Sequence, residues 1–598
     1  MATSVTPAQK KVVGGNFLIA ETNPQDVFTP EDFNEQHKLI EQTTEDFANQ
    51  EILPNVDRIE HKDFAFSREL LKKAADLGLT SVDVPEEYGG AEMDKVSSAI
   101  IADRIAKSGS FAVTFSANVG IGTLPIIWFG TEDQKKKYLP LLASGEWVGA
   151  YALSESSSGS DAMHARTKAV LSADGKHYVL NGEKMWITNA SFADVFVIFA
   201  KVDGEKFTAF IVERTLPGFS VGAEEHKLGI RGSSTCPLIL SDCQVPAENV
   251  LGEIGKGATI AFNILNVGRF KLGAAAVGGA RTCLANSIKW AKERKAFGKS
   301  IGDFGMVREM LADIAVGIYA GEALVYRTAG MMDAATADIT KGSPDESKLI
   351  RKAIEEYAVE CSIIKVWASE MFDMVVDNQV QIFGGYGFVE EYPAERAYRD
   401  SRVNRIFEGT NEINRLIITG WLLKRAMSGQ LPLLPAIKKL MDEVMAGPSF
   451  AEEDSRKLAA QRKMIENAKK IGLMVAGAAS QKYMQQIVDH QEVMGAIADI
   501  VIEVYAMDSV LARTLKMVER HGEDASAVAV AITDVYLQTA FARVEAAAKK
   551  ALADVAEGDM LRTQMTILRR LVKSEPVNVI AARERIAARV LDAGKYAL

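Results

Sequence analysis

ADVFVIFAK (193–201) and KFTAFIVE (206–213) decide the fold. Both are short runs of β-branched and aromatic residues bounded by turn formers, the signature of strands. WVGAYAL (147–153), KHYVLNG (176–182) and TCPLILSDCQV (235–245) have the same texture and are separated by Gly, Asp or Asn. Together they predict an all-β insert of about a hundred residues, over 147–255.

Outward from that insert, the pattern is helical on both sides. FNEQHKLIEQTTEDFANQEILP (33–54) repeats apolar residues at three and four, as an amphipathic helix requires. GTEDQKKKYLPLLASGE (130–146) reads as a helix capped by Thr131 and ending near Gly145. VPEEYGG (84–90) reads as a turn. On the C-terminal side, 261–297 and 345–382 are long and periodic. MSGQLPLLP (427–435) carries two prolines and reads as the start of a linker, and 451–598 is again helical. The expected fold class is α+β: an N-terminal extension (1–29), a helical domain (30–146), a β domain of barrel or sandwich type (147–255), a helical domain (256–426), a linker (427–450) and a second helical block (451–598).

The chain has 598 residues, a formal charge of −10 and a pI near 5.5. An acidic total disfavours nucleic acid, whose grip needs a basic face. Four cysteines without a CxxC pair, and seven histidines without HExxH, make a disulfide framework, a zinc site or metal catalysis poor readings. The first residues lack the long apolar run of a signal peptide. The apolar stretch 314–332 is broken by Glu322 and Arg327, which disfavours a membrane span. The expected address is cytoplasmic.

Four stretches carry candidate chemistry. ALSESSSGSD (152–161) sets small hydroxyls around Gly159, so backbone amides can approach a ligand; alone it reads more readily as a serine-rich surface loop. NGEKMWITNA (181–190) places the plane of Trp186 near the hydroxyl of Thr188, which suits a flat ring with a polar nitrogen, or simply a core tryptophan. QIFGGYGFVEEYPAERAYRD (381–400) is a close-approach glycine segment or a helix stop. It follows a helix and not a strand, so a dinucleotide-binding reading fails its structural test. NRIFEGTNEINR (404–415) sets Glu408 before a glycine, where a carboxylate is otherwise an ordinary loop residue.

In this order, and with PEEYGG, LGIRGSSTCPL, VPAENVLGE and ERKAFGK, these motifs resemble the acyl-CoA dehydrogenase family over about 30–425. FGKSIGDFGMVREMLADI (297–314) and the block after 430 are most similar to its very-long-chain branch. The resemblance implies a helical domain, a β-barrel-like middle domain and a four-helix bundle. It implies FAD between middle domain, bundle and a neighbouring subunit, and conversion of a fatty acyl-CoA to the trans-2-enoyl-CoA. It implies Glu408 as the base that removes the α-proton, while the β-hydride passes to the flavin. Such a base needs a polarised carbonyl and a contact of roughly 3 Å, and a raised pKa suits its task.

By matching position, Leu153 and Ser154 meet the flavin, Trp186 packs on it and Thr188 bonds near its reactive nitrogen. Thr410 meets the pyrophosphate. Arg294, Phe297, Gln381 and Gly385 reach the FAD of the partner subunit. Ser160, Arg269 and Gly409 fall on the substrate side. Some branched-chain members carry the base just before the residue matching Arg269; here that residue is Gly268, which favours Glu408. Ser156 replaces a usual proline, Ser154 a usual threonine, and Glu412 stands where many members have Gln or Asp. Ala117, Gly120 and Gly122 are small where medium-chain members are bulkier, which implies a deep acyl pocket and long chains. Electron-transferring flavoprotein is the expected electron acceptor, a homodimer the expected assembly, and the amphipathic stretch 434–445 at most a weak peripheral membrane contact. A flavin oxidase of the same superfamily and a non-catalytic assembly or nucleic-acid-binding relative are the alternatives.

Overall fold

The computed structural model describes residues 11–446 and 454–597. Residues 1–10 of the expected extension, 447–450 of the expected linker and the first three residues of the C-terminal block lie outside the described residues.

The N-terminal region is built from α1 (Glu35–Phe47), α2 (Val56–Glu60), α3 (Phe64–Asp76), α4 (Lys95–Arg104), α5 (Gly109–Ser116), α6 (Leu124–Phe129) and α7 (Glu132–Ala143). Thr131 caps α7 through a reciprocal pair with Gln134 at 3.2 and 3.0 Å, the capping-box arrangement its sequence announces. Between α5 and α6 the chain widens into a π turn, Ala117–Gly122, an irregularity that often marks functional sites.

Eight strands follow: β1 (Gly149–Ala152), β2 (Lys168–Leu171), β3 (His177–Thr188), β4 (Val195–Val202), β5 (Lys206–Glu213), β6 (Phe219–Val221), β7 (Thr235–Pro246) and β8 (Val250–Leu251). They form one mixed sheet in the order β6-β7-β3-β2-β4-β5-β8, with β1 added parallel to β4. The runs at 193–201 and 206–213 are the antiparallel β4–β5 pair, in register from Val195↔Glu213 to Val202↔Lys206. Both strands are buried along most of their length, which explains why they read as continuous apolar runs without alternation. Strands β3 and β7 pair antiparallel with two register shifts, one of them between Lys184 and Ile187.

The bundle comprises α8 (Gly257–Glu293), the short hairpin β9 (Lys295–Ala296) and β10 (Lys299–Ser300), then α9 (Gly305–Thr336), α10 (Glu346–Glu355), α11 (Ala358–Phe383), α12 (Pro393–Ser401) and α13 (Asn411–Met427). Two helices end earlier than their periodicity suggests. Helix α8 stops at Glu293, where Arg294 turns extended, and the chain enters a hairpin whose turn Phe297 and Gly298 make at φ 52° and 83°. The run 345–382 breaks at Glu356–Tyr357, where both side chains bind the N-terminal segment: Glu356 Oε1 accepts from Gly14 N and Tyr357 Oη donates to the Val12 carbonyl, each at 2.9 Å.

Within the stretch read as a linker, α14 (Leu433–Ala446) is helical. Beyond it lie α15 (Ala459–Tyr483), α16 (Gln491–His521), α17 (Ala527–Val555), α18 (Gly558–Leu571) and α19 (Val579–Ala593). Helices α16 and α19 pack on α9, and α16 also packs on α13. Three helical runs, 109–129, 257–293 and 527–555, are long and apolar enough to cross a membrane. Their most apolar windows are 83%, 78% and 56% buried within the fold, so packing accounts for much of their apolarity.

Candidate active site

Glu408 and Gly409 precede α13 with φ of 59° and 78°. The first is an uncommon conformation for a glutamate and costs of order 1–3 kcal/mol unless neighbours hold it. The neighbours do so through the turn's carbonyls. Arg269 Nε donates to the Glu408 carbonyl at 3.1 Å. Lys365 Nζ donates to the Gly409 carbonyl at 2.7 Å and to Asn411 Oδ1 at 2.6 Å. Asn414 Nδ2 spans the carbonyls of Glu408, Gly409 and Thr410 at 3.3, 2.9 and 3.0 Å. Thr410 caps α13, its hydroxyl accepting from Ile413 N at 3.3 Å.

The Glu408 side chain lies over Gly268 of α8. A Cβ at Gly268 would come 2.6 Å from Oε2 and 2.7 Å from Oε1. The absent side chain is therefore what admits the carboxylate. Oε2 is shut off from solvent and has no hydrogen-bond partner among the described residues. Burial pushes the Glu408 carboxyl up to about 7, against the opposing charges of Arg269 and Lys365. Tyr151 of β1 has a buried hydroxyl without a hydrogen-bond partner among the described residues. Burial first, then the Glu408 charge, hold its phenol well above the ordinary range.

A cavity of about 430 Å³ opens from this point. Glu408, Thr188, Gly268, Leu272, Ala117 and Gly120 are among its lining residues, so the π turn supplies part of its wall. Gly122 does something different: a Cβ there would strike the Gly149 backbone of β1 at 2.8 Å. Its small size serves close helix–sheet packing.

The segments carrying Leu153, Ser154, Trp186 and Thr188 are fastened together. Met185 N donates to the Ser154 carbonyl at 3.0 Å. Lys184 Nζ, fully buried, donates to the Leu153 carbonyl at 3.2 Å and to Glu155 Oε1 at 2.7 Å. Glu155 also accepts from the backbone of Arg166 and Thr167 and from the Thr167 hydroxyl, at 2.5, 3.1 and 2.6 Å. Trp186 sits in the adjoining bulge at φ 58° with 56% of its surface exposed. It is a planar apolar face turned outward, not a core tryptophan.

Other expected site residues lie elsewhere. Arg294 stands over the Tyr386 ring at 5.2 Å, Phe297 is 95% exposed, and Gln381 and Gly385 are exposed beyond the stacked pair Trp290–Phe383. None of the four lines the cavity. Ser160 is exposed on its loop and does not line it either. Conversely, the sequence reading passed over Tyr151, Glu155, Lys184, Lys365, Asn411 and Asn414. The usable signal was a lone lysine inside an apolar run, as in SIIKVWA (362–368) and KMWI (184–187), since such a charge is buried only with partners.

Models of the acyl-CoA dehydrogenase N-terminal domain match residues 34–146, of the middle domain 150–243, and of the C-terminal domain 255–423 and again 467–570. The chain belongs to the acyl-CoA dehydrogenase family. It is 49% identical to a probable acyl-CoA dehydrogenase of Bacillus subtilis over the full length of both chains. It is 34% identical to the human very long-chain specific acyl-CoA dehydrogenase of mitochondria, over 83% of this chain and 77% of that one. A crystal structure of an acyl-CoA dehydrogenase complexed with FAD, from Bacillus anthracis, matches with a TM-score of 0.96 and 51% identity, covering 98% of this chain and all of that one. The C-terminal block thus belongs to the family architecture in these relatives.

Proposed function

We propose that this protein is an FAD-dependent dehydrogenase of fatty acyl-CoA thioesters, with Glu408 as the base, favouring long chains. The observation that carries the reading is the Glu408 carboxyl at an apolar cavity, raised to about 7, with Oε2 shut off from solvent and without a hydrogen-bond partner among the described residues. A base poised near neutrality can take a weakly acidic α-proton and release it later. Arg269, Lys365 and Asn414 hold the backbone of its turn, so the carboxylate itself stays free to react.

The residues present fit a flavin. Trp186 offers an exposed ring face, Thr188 a hydroxyl on the cavity, and the exposed Arg294, Phe297, Gln381 and Gly385 form a separate donor and aromatic surface. A Cβ at Gly385 would meet nothing within 4 Å, so backbone approach is open there. FAD, when bound, supplies the acceptor for the β-hydride. The separation of those four residues from the cavity supports a homodimer in which each copy completes its neighbour's cofactor site. Small residues at Ala117 and Gly120 support long acyl chains, and the family resemblance supports an electron-transferring flavoprotein as acceptor.

The test is an acyl-CoA chain-length series with ferricenium as acceptor, on wild type and Glu408→Gln. Flavin retention with turnover lost by several orders of magnitude, and a wild-type optimum at long chains, are the expected results. Near-normal turnover in the variant would place the base elsewhere. Rapid reoxidation of the reduced enzyme by air would favour an oxidase.

A further inference from the structure

Lys365 sits in the first third of α11, fully buried. Its ammonium faces two neutral acceptors, the Gly409 carbonyl and Asn411 Oδ1. Among the described residues it makes no ion pair. Burying an unpaired ammonium costs several kcal/mol, and a neutral glutamine could serve the same two acceptors. Stability alone therefore does not explain a lysine at this position.

We propose that Lys365 is a positioning residue for Glu408: it clamps the left-handed Glu408–Gly409 turn and, through its charge, keeps the base ionisable near neutral pH. This rests on Glu408 being the base.

The surroundings leave this role to few groups. From α8, Arg269 bonds the Glu408 carbonyl and Asn266, and its charge acts on Glu408 more strongly than that of Lys365, so Lys365 supplies the second share of the attraction. From β1, Tyr151 contributes a neutral phenol. Lys271, the next basic residue along α8 to line the cavity, is bonded to Asp83 at 2.7 Å. From α13 and α11, Glu412 and Glu370 act on Lys365 as weaker partners than Glu408. Burial lowers the ammonium to about 7 while Glu408 opposes the shift. Two groups of opposite charge and similar midpoint titrate as a pair, so the proton affinity of the base belongs to both. When Glu408 gains the α-proton, the pair loses one charge, and the lysine's attraction favours returning that proton before the next cycle.

The experiment compares the pH dependence of kcat/KM in wild type, Lys365→Gln, Lys365→Met and Lys365→Arg, with Glu408→Gln as reference. Lys365→Gln keeps polar donors and loses the charge. Its rising midpoint should move up by ~0.5–1 pH unit, lowering kcat/KM at pH 7 about twofold to sixfold, and Lys365→Arg should restore the wild-type midpoint. An unmoved midpoint in flavin-loaded Lys365→Gln or Lys365→Met overturns the proposal. So does recovery of folded protein from Lys365→Arg alone, which would make the lysine a structural cation. If Glu408→Gln itself turns over normally, the fault lies in the assignment of the base and not in the lysine.

Discussion

At the scale of single residues, the site depends on one missing side chain and one displaced proton. Gly268→Ala would insert a methyl 2.6–2.7 Å from the Glu408 carboxyl atoms. That carboxyl is the far end of a flexible chain, so it swings aside while the backbone stays. Alanine is also the better helix former by up to about 1 kcal/mol. The expected outcome is unchanged or slightly higher stability by urea unfolding, normal flavin content, and at least a tenfold loss of kcat. The proton leaves a second trace. A Glu408 carboxyl near 7, above its ordinary 4.5, keeps a proton in the folded state that the unfolded chain releases. Its contribution is therefore complete below about 4.5 and is lost as pH rises through about 7. Glu408→Gln lacks this penalty. It should be more stable than wild type by about 1–3 kcal/mol at pH 8 and nearly equal at pH 4.5, in urea titrations at the two pH values. A constant difference across that range would show that the carboxyl is not raised.

At the scale of elements, the decisive piece is the bulge in β3. The strand was legible from its composition, and the motif around Trp186 stood out as a candidate site. The register shift between Lys184 and Ile187 was not legible, because it depends on β7 and on the loop after β1. Glu155 and Lys184 are 29 residues apart and become one buried pair only once those segments meet. The same limit hid Lys365 beneath Glu408, and it joined Phe297 to α8, since a left-handed turn at an aromatic residue carries no signal in helical periodicity. What local pattern could show, it showed: the Thr131 cap, the turn after Pro85, and the apolar β4–β5 pair. Lys184→Met tests the bulge. It leaves the Glu155 carboxylate buried without its cation, a change that costs about 3–5 kcal/mol, and it frees the Leu153 carbonyl. Thermal unfolding should show the loss, and flavin should dissociate during gel filtration. Lys184→Met combined with Glu155→Gln should recover part of the stability, because it removes the stranded charge.

At the scale of the whole molecule, the C-terminal block is bound to the rest by charge as much as by apolar contact. Asp508 of α16 meets Arg327 of α9 at 2.8 Å and Lys469 of α15 at 2.9 Å. Arg513 bridges Glu322 of α9 and Glu31 of the N-terminal segment, each at 2.7 Å, while Tyr596 closes on Glu322 at 2.7 Å. Lys516 reaches Asp32 at 2.6 Å. Helix α9 is nearly all buried between Leu311 and Met332, so in the intact fold its charged residues meet partners and not water. A chain ended after 431 would leave Glu322 with Arg281 but without Arg513 and Tyr596, leave Arg327 without Asp508, and bare the apolar side of α9. The freed charges gain water once the block is gone, but a bare apolar helix face is an association surface. The shortened chain should therefore be recovered as aggregates or as higher oligomers by analytical ultracentrifugation. Neutralising Glu322 and Arg327 together in that chain should restore little, because the exposed apolar face remains. A soluble, flavin-loaded monomer or dimer of residues 1–431 would show instead that the bundle is complete without the block, and that these ion pairs only seat it.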